Sequence, residues 1–202
     1  CPENYQPQKG EALVARAYAH FMLVTFFSRY DPAAPGANND PGIPYVTKAE
    51  KVVFENYSRG TVKEVYEQIE RHLTQGLPLI ADQVYKVPKY HFTKAAAHAF
   101  AARFYLFKKD YAKVLEDAGQ VLPGNNFAAN LRPWNTLYRP LTIAELITRY
   151  YKASEPSNLL LVDATSWWGR GTGSDAGSSY AYNRYGMDPV LYAQVFRTPV
   201  SG

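Results

Sequence analysis

Cysteine is almost missing from this chain: Cys1 is the single one in 202 residues, so no intrachain disulfide, Cys-based zinc site or Cys-x-x-Cys redox pair can form within it. No apolar run approaches the roughly 18 to 20 residues of a membrane-spanning helix, and the first residues, Cys1-Pro2-Glu3-Asn4-Tyr5, lack the pattern of a signal peptide. Charge of one sign is scarce as well. The 22 basic and 18 acidic residues leave a formal +4, interspersed and without a run of five Lys or Arg, which argues against nucleic acid as a partner. Length and an ordinary hydrophobic fraction of 47% place the chain among globular domains able to bury a core without covalent staples.

Tyrosine is what the chain has in excess. Its 17 residues outnumber the 10 Phe and 3 Trp together. Each ring offers a flat apolar face with a polar tip, suited to helix packing and to ligands that need both kinds of contact.

Periodicity gives four helices in the first 122 residues. Leu13, Ala17, Phe21, Val24 and Phe27 mark an amphipathic helix over residues 9–30. A loop follows, because residues 31–44 hold four prolines and two glycines. Thr61-x-x-Glu64 is a capping box opening a second helix over 61–75, with Val62, Val65, Tyr66, Ile69 and Leu73 on one stripe. Thr93 caps a third over 93–108, rich in alanine and aromatics, and Asp110 opens a fourth that ends before Pro123-Gly124. The third and fourth, with almost no loop between them, read as a helical hairpin of tetratricopeptide type. Ala102 and Tyr105 stand where that repeat has its small residue and tyrosine, whereas Val114 stands where it has alanine, so the repeat is irregular. The fold class is therefore mainly α, with irregular hairpins, long loops and a little extended structure: a short helix over 142–151, an extended run over 158–166, and a glycine-rich aromatic stretch over 167–186.

No motif supports catalysis. Gly171-Thr172-Gly173 lacks the strand, helix and Gly-Lys-Ser of a phosphate loop. His20, His72, His91 and His98 contain no His-Glu-x-x-His pair, and His20 lies beside the first helix's apolar stripe as a packing residue. Asp163, Asp175 and Asp188 have no spacing that marks a glycosidase pair. No catalytic residue, metal site or cofactor is expected.

The order of the helical segments resembles that of the SusD/RagB family of Bacteroidetes outer-membrane lipoproteins. The resemblance rests on residues 11–21 (Glu-Ala-Leu-Val-Ala-Arg-Ala-Tyr-Ala-His-Phe), 42–47 (Gly-Ile-Pro-Tyr-Val-Thr), 61–70 (Thr-Val-Lys-Glu-Val-Tyr-Glu-Gln-Ile-Glu) and the hairpin carrying Thr93-Lys94-Ala95-Ala96-Ala97 and Ala101-Ala102-Arg103-Phe104-Tyr105-Leu106. It covers residues 10–122. Family members are much longer, so the expectation is an incomplete SusD-like domain over 1–202, with repeat helices over 9–122 and a loop-rich aromatic part over 123–202.

That resemblance implies a non-catalytic, surface-exposed protein of the cell outer membrane that holds an oligosaccharide or other nutrient for a SusC-like TonB-dependent transporter. It also implies a membrane attachment only through a lipid anchor outside this chain, and not at Cys1. Sugar recognition needs aromatic platforms flanked by hydrogen-bonding groups. The candidates are Trp167, Trp168, Arg170, Tyr180 and Tyr182 in the aromatic stretch, and Asn38 and Asn39 in the loop after the first helix, where turn formation is the competing explanation. A helical-repeat scaffold for a protein or peptide partner is the other functional class the hairpins fit.

Overall fold

The computed structural model describes residues 3–31, 33, 38–53, 55–122, 124 and 127–161. By its internal contacts the chain divides into two units, Cys1–Leu161 and Val162–Gly202, and the second lies outside the described residues.

Among the described residues of the first unit there are five α-helices: α1 (Gln6–Phe27), α2 (Val62–Gly76), α3 (Lys94–Lys108), α4 (Tyr111–Val121) and α5 (Ile143–Tyr150). The expected helices are all present, with shifted ends at α1. It starts earlier than residue 9 because Pro7 occupies the first turn, where a missing N–H costs nothing. It stops at Phe27 because Ser28 is extended. Caps set the other boundaries. Thr61 and Glu64 form the full capping box of α2, the Thr93 hydroxyl accepts from the Ala96 N–H, and Asp110 accepts from the Lys113 N–H. Lys109, left-handed at φ 59°, reverses the chain between α3 and α4.

The helices pair as two hairpins, α1 with α2 and α3 with α4. Val14, Ala17, Phe21 and Val24 from α1 meet Val62, Val65, Tyr66, Ile69 and Leu73 from α2 and Ala97, Phe100, Ala101 and Phe104 from α3 in one buried core. Phe21 sits between the hairpins, 5.1 Å from the Phe107 ring, 5.7 Å from Phe100 and 5.9 Å from Phe104 by centroid. A polar tie reinforces the junction. Glu70 on α2 accepts from Lys108 on α3 and, at 2.7 Å, from Lys113 on α4. Burial works against its charge, but these two ammonium groups outweigh it and hold the carboxyl below the usual carboxylate range.

The long connection over 38–61 closes on the start of α2 and satisfies donors that no helix supplies for itself. Val62 N–H donates to the Asp40 carbonyl at 2.9 Å, Lys63 N–H to that of Asn38 at 2.9 Å, and Gly42 N–H to that of Gly60 at 2.7 Å. Among the described residues there is no β-strand, only an isolated bridge between Pro41 and Thr61. The extended run expected from residue 158 forms no ladder as far as Leu161, because its partner is a short 3-10 helix, Pro88–Tyr90: Leu161 N–H donates to the Lys89 carbonyl at 2.7 Å. Residues 162–166 of that run lie outside the described residues.

Gly10 and Gly76 bring the open ends of α1 and α2 into backbone contact. A Cβ on Gly76 would stand 2.9 Å from the Gly10 carbonyl oxygen and 3.0 Å from Val14 Cγ2, whereas a Cβ on Gly119 in α4 would meet nothing within 4 Å. Gly76→Ala is therefore expected to destabilise. The overpacking cost of about 1 to 3 kcal/mol exceeds the helix-propensity gain of about 1 kcal/mol. Gly119→Ala should stabilise by up to about 1 kcal/mol. Urea midpoints of the two variants check this, and two shifts of the same sign would contradict it.

Candidate functional site

The loop singled out from the sequence is held by polar groups, and Asn38 is one of them. It is buried, its Oδ1 accepts from the Asp31 N–H at 2.8 Å, and its Nδ2 donates to the Asp31 carbonyl at 3.0 Å. Both ends of the amide are thus used to close the loop. Asn39 is exposed.

Further along, the loop is clamped between α1 and α2 by a stack of His20, Tyr45 and His72. The His20 and Tyr45 rings lie 3.9 Å apart and nearly parallel, and the Tyr45 hydroxyl and His72 Nδ1 share a hydrogen bond of 2.8 Å. His20 is the packing residue its position suggested, and it does more. Its Nε2 accepts from the Val46 N–H at 3.0 Å, which fixes the remaining proton on Nδ1, donated to the Arg16 carbonyl at 2.8 Å. A proton on Nε2 would break that contact with Val46. Burial, with the Arg16 guanidinium nearby, lowers the basicity of both histidines, and Arg71 adds to the effect at His72.

An exposed aromatic cluster with polar support lies elsewhere among the described residues, on 132–158. Trp134–Tyr138 forms a π-turn in which the Arg139 N–H donates to the Trp134 carbonyl at 2.9 Å. Trp134 is 53% exposed. Its ring meets Tyr138 edge-on at 5.2 Å and Tyr150 on α5 at 6.4 Å, and Tyr150 meets the 65% exposed Tyr151 at 5.7 Å. Thr142-x-x-Glu145 is a complete capping box that starts α5 and so delivers Tyr150 to this surface.

A buried polar frame fixes the rings. The Tyr138 hydroxyl donates to Glu155 at 2.7 Å, and Arg149 Nε donates to the other oxygen of the same carboxylate at 2.9 Å. The Tyr138 hydrogen bond, opposed by desolvation and joined by that of Arg149, lowers the Glu155 carboxyl below the usual range. Arg132 lies flat on Tyr150, 3.7 Å from the ring centre, with Nη2 donating to Asn158 Oδ1 at 2.6 Å. Arg149 and Glu155 also line an adjoining cleft of about 510 Å³ with Glu145, Thr148, Lys152 and Ser154. Chemically this is a stacking surface edged by hydrogen-bonding groups. Among the described residues no three His, Cys, Asp or Glu side chains gather for a metal.

Of the residues proposed from the sequence, Trp167, Trp168, Arg170, Tyr180 and Tyr182 lie outside the described residues. Sequence reasoning missed Trp134, Tyr150 and Tyr151. The available signals were a tryptophan outside every helical stripe, after Arg132-Pro133, and the capping box at Thr142.

Paired helical hairpins of this kind define a mainly α, helical-repeat architecture. The chain belongs to the SusD-like family described as starch-binding and associating with the outer membrane, whose model matches residues 1–106. Its structure is similar to that of a SusD superfamily protein from Bacteroides thetaiotaomicron VPI-5482, at 25% identity and a TM-score of 0.51 over 63% of this chain and 26% of that one. It is also similar to a SusD-like carbohydrate binding protein from Bacteroides vulgatus ATCC 8482, at 18% identity and a TM-score of 0.55 over 77% and 30%. The chain thus spans about a quarter to a third of the length of these structures. No curated protein matches it.

The histidine clamp gives a pH dependence whose sign follows from linkage. Both histidines have folded pKa values below the ordinary 6.5, so on acidification the unfolded chain binds protons first. Stability is full above about pH 6.5 and is lost as pH falls through the folded values. The thermal midpoint should fall between pH 7 and 5, and a His20→Gln/His72→Asn double variant should show a flatter profile. Equal slopes in the two proteins would mean that the clamp does not titrate with folding.

Proposed function

We propose that the chain is part of a non-catalytic, surface-exposed outer-membrane protein that holds an oligosaccharide or other nutrient for a SusC-like TonB-dependent transporter. The observation that carries this reading is the exposed Trp134–Tyr150–Tyr151 surface in a chain of the SusD-like family. A sugar ring has an apolar face of C–H groups and an equator of hydroxyls, so it fits an aromatic face edged by hydrogen-bonding groups. Trp167, Trp168, Arg170, Tyr180 and Tyr182 are proposed as ligand contacts in their own right, and Asn39 likewise in its loop. Asn38 we assign to shaping the loop, since its amide is engaged with Asp31. A helical-repeat scaffold for a protein partner is the second reading, favoured by the exposed Leu23, Phe26 and Phe27 on α1.

Two measurements test the first reading. Trp134→Ala should weaken oligosaccharide binding in affinity gels or calorimetry at least several-fold while shifting the thermal midpoint little, because the ring is half exposed. A core tryptophan would instead cost about 3 to 5 kcal/mol of stability. Retention of full affinity by a stable Trp134→Ala protein removes this ring from the site, and absence of any glycan binding by the parent chain favours the scaffold. Incubation with polysaccharides should release no reducing ends above a buffer blank, and release lost on mutating Asp163 or Asp175 would overturn the non-catalytic reading.

A further inference from the structure

We infer that the saccharide taken by the Trp134 surface is anionic, carrying carboxylate or sulfate groups; this rests on the glycan-binding reading of that same surface. A site for neutral sugars uses acceptors as well as donors, because each hydroxyl has a proton to give as well as lone pairs to offer. Here most side-chain acceptors of the frame are already used. Glu155 is held by Tyr138 and Arg149, Asn158 Oδ1 takes Arg132 Nη2, and Glu145 caps α5 through one oxygen, Oε2, which leaves its other oxygen open as a single carboxylate against three cations. The cations are not matched in the same way. Arg132, Arg139 and Lys152 form no ion pair among the described residues, and Arg139 and Lys152 are exposed. Arg132 Nη1 is enclosed beside the Tyr150 ring and has no acceptor. A donor left so is costly.

Rings for stacking and cationic donors lacking acceptors call for a ligand that brings acceptors of its own. A carboxylate or sulfate on a pyranose ring does this: the ring covers Trp134 or Tyr151 while the anion meets the accessible nitrogens of these cations.

The test is calorimetry on the full chain with trigalacturonate, its fully methyl-esterified form, a sulfated chondroitin disaccharide, maltotriose and poly-L-glutamate, in 50 and 500 mM NaCl. Trigalacturonate or the sulfated disaccharide should bind at least tenfold more tightly than the ester and maltotriose at low salt, and the gap should shrink at high salt. Arg132→Gln should bring the anionic saccharide down to the level of the neutral one. Because Arg132 also packs on Tyr150, an Arg139→Gln/Lys152→Gln variant, altered only at exposed positions, should show part of the same loss at an unchanged thermal midpoint. Preference for the uronate over the sulfate, or the reverse, identifies the anion and supports the inference. Equal binding of acid and ester, or binding of maltotriose alone, overturns the anionic class and leaves the glycan reading standing. Poly-L-glutamate binding as tightly as the saccharides overturns it too, since the surface would then be reading charge without a ring. No binding of any saccharide removes both readings.

Discussion

Phe21 is the side chain on which both hairpins converge. It is fully buried on α1, faces Tyr66 of α2 at 6.4 Å, and is surrounded by Phe100, Phe104 and Phe107 of α3, with the Arg103 guanidinium 5.8 Å above its ring. Each such aromatic pair adds about 0.5 to 1.5 kcal/mol beyond burial, so one ring supports the junction as much as several aliphatic contacts would. The Glu70 tie to Lys108 and Lys113 lies at that junction too, and its charges match only if the hairpins keep the register that Phe21 sets. A second tie runs from Glu11 at the start of α1 to His91 and the Phe92 N–H ahead of α3, at 2.9 and 3.2 Å. Neither tie could form between hairpins that were not already docked.

This order of dependence explains which parts of the fold could be read from the sequence. Helix starts were legible because a cap and its partner lie three residues apart, as in Thr61 with Glu64 and Asp110 with Lys113. Core positions were legible through their spacing on one helix face, and Ala17, Phe21, Ile69 and Ala101 are all inaccessible to solvent. Contacts between distant segments left no such trace. His98 Nδ1 and Asp117 Oδ1, 2.7 Å apart between α3 and α4, form a pair whose separation of 19 residues has no local period. Asn38 shows the same limit from the other side. An Asn-Asn-Asp-Pro-Gly sequence looks like a hydroxyl-binding loop and like a turn, and only the burial of Asn38 against Asp31 reveals how its amide is used.

The Trp134 surface was illegible for a related reason. A π-turn places residues by an i→i+5 bond, a spacing that neither helix nor strand templates carry, and Pro133 ahead of it reads as a break. Its rings come from two segments joined only by the capped α5. What makes the surface usable is that its stiffness is supplied from beneath. Tyr138 is buried and anchored through its hydroxyl to Glu155, Glu155 is anchored to Arg149, and Trp134 rests edge-on against Tyr138.

The same economy of acceptors determines the electrostatics above it. Holding Tyr138 and Arg149 consumes the Glu155 carboxylate, and holding Arg132 flat on Tyr150 consumes the Asn158 carbonyl oxygen. Asn158 has no spare donor either, since its Nδ2 gives to the carbonyls of Tyr150 and Lys152 at 2.8 and 2.9 Å. These acceptors, which stiffen the frame, are thereby withdrawn from the surface, where the exposed Arg139 and Lys152 outnumber the one exposed carboxylate, Glu145. The positive character of this face is therefore a consequence of how its rings are held. Relieving it by adding a surface carboxylate would place a competing acceptor beside Arg132 and Arg149, whose present partners orient Tyr150 and Tyr138. In this arrangement the rigidity of the platform and its preference for an anion have one physical origin.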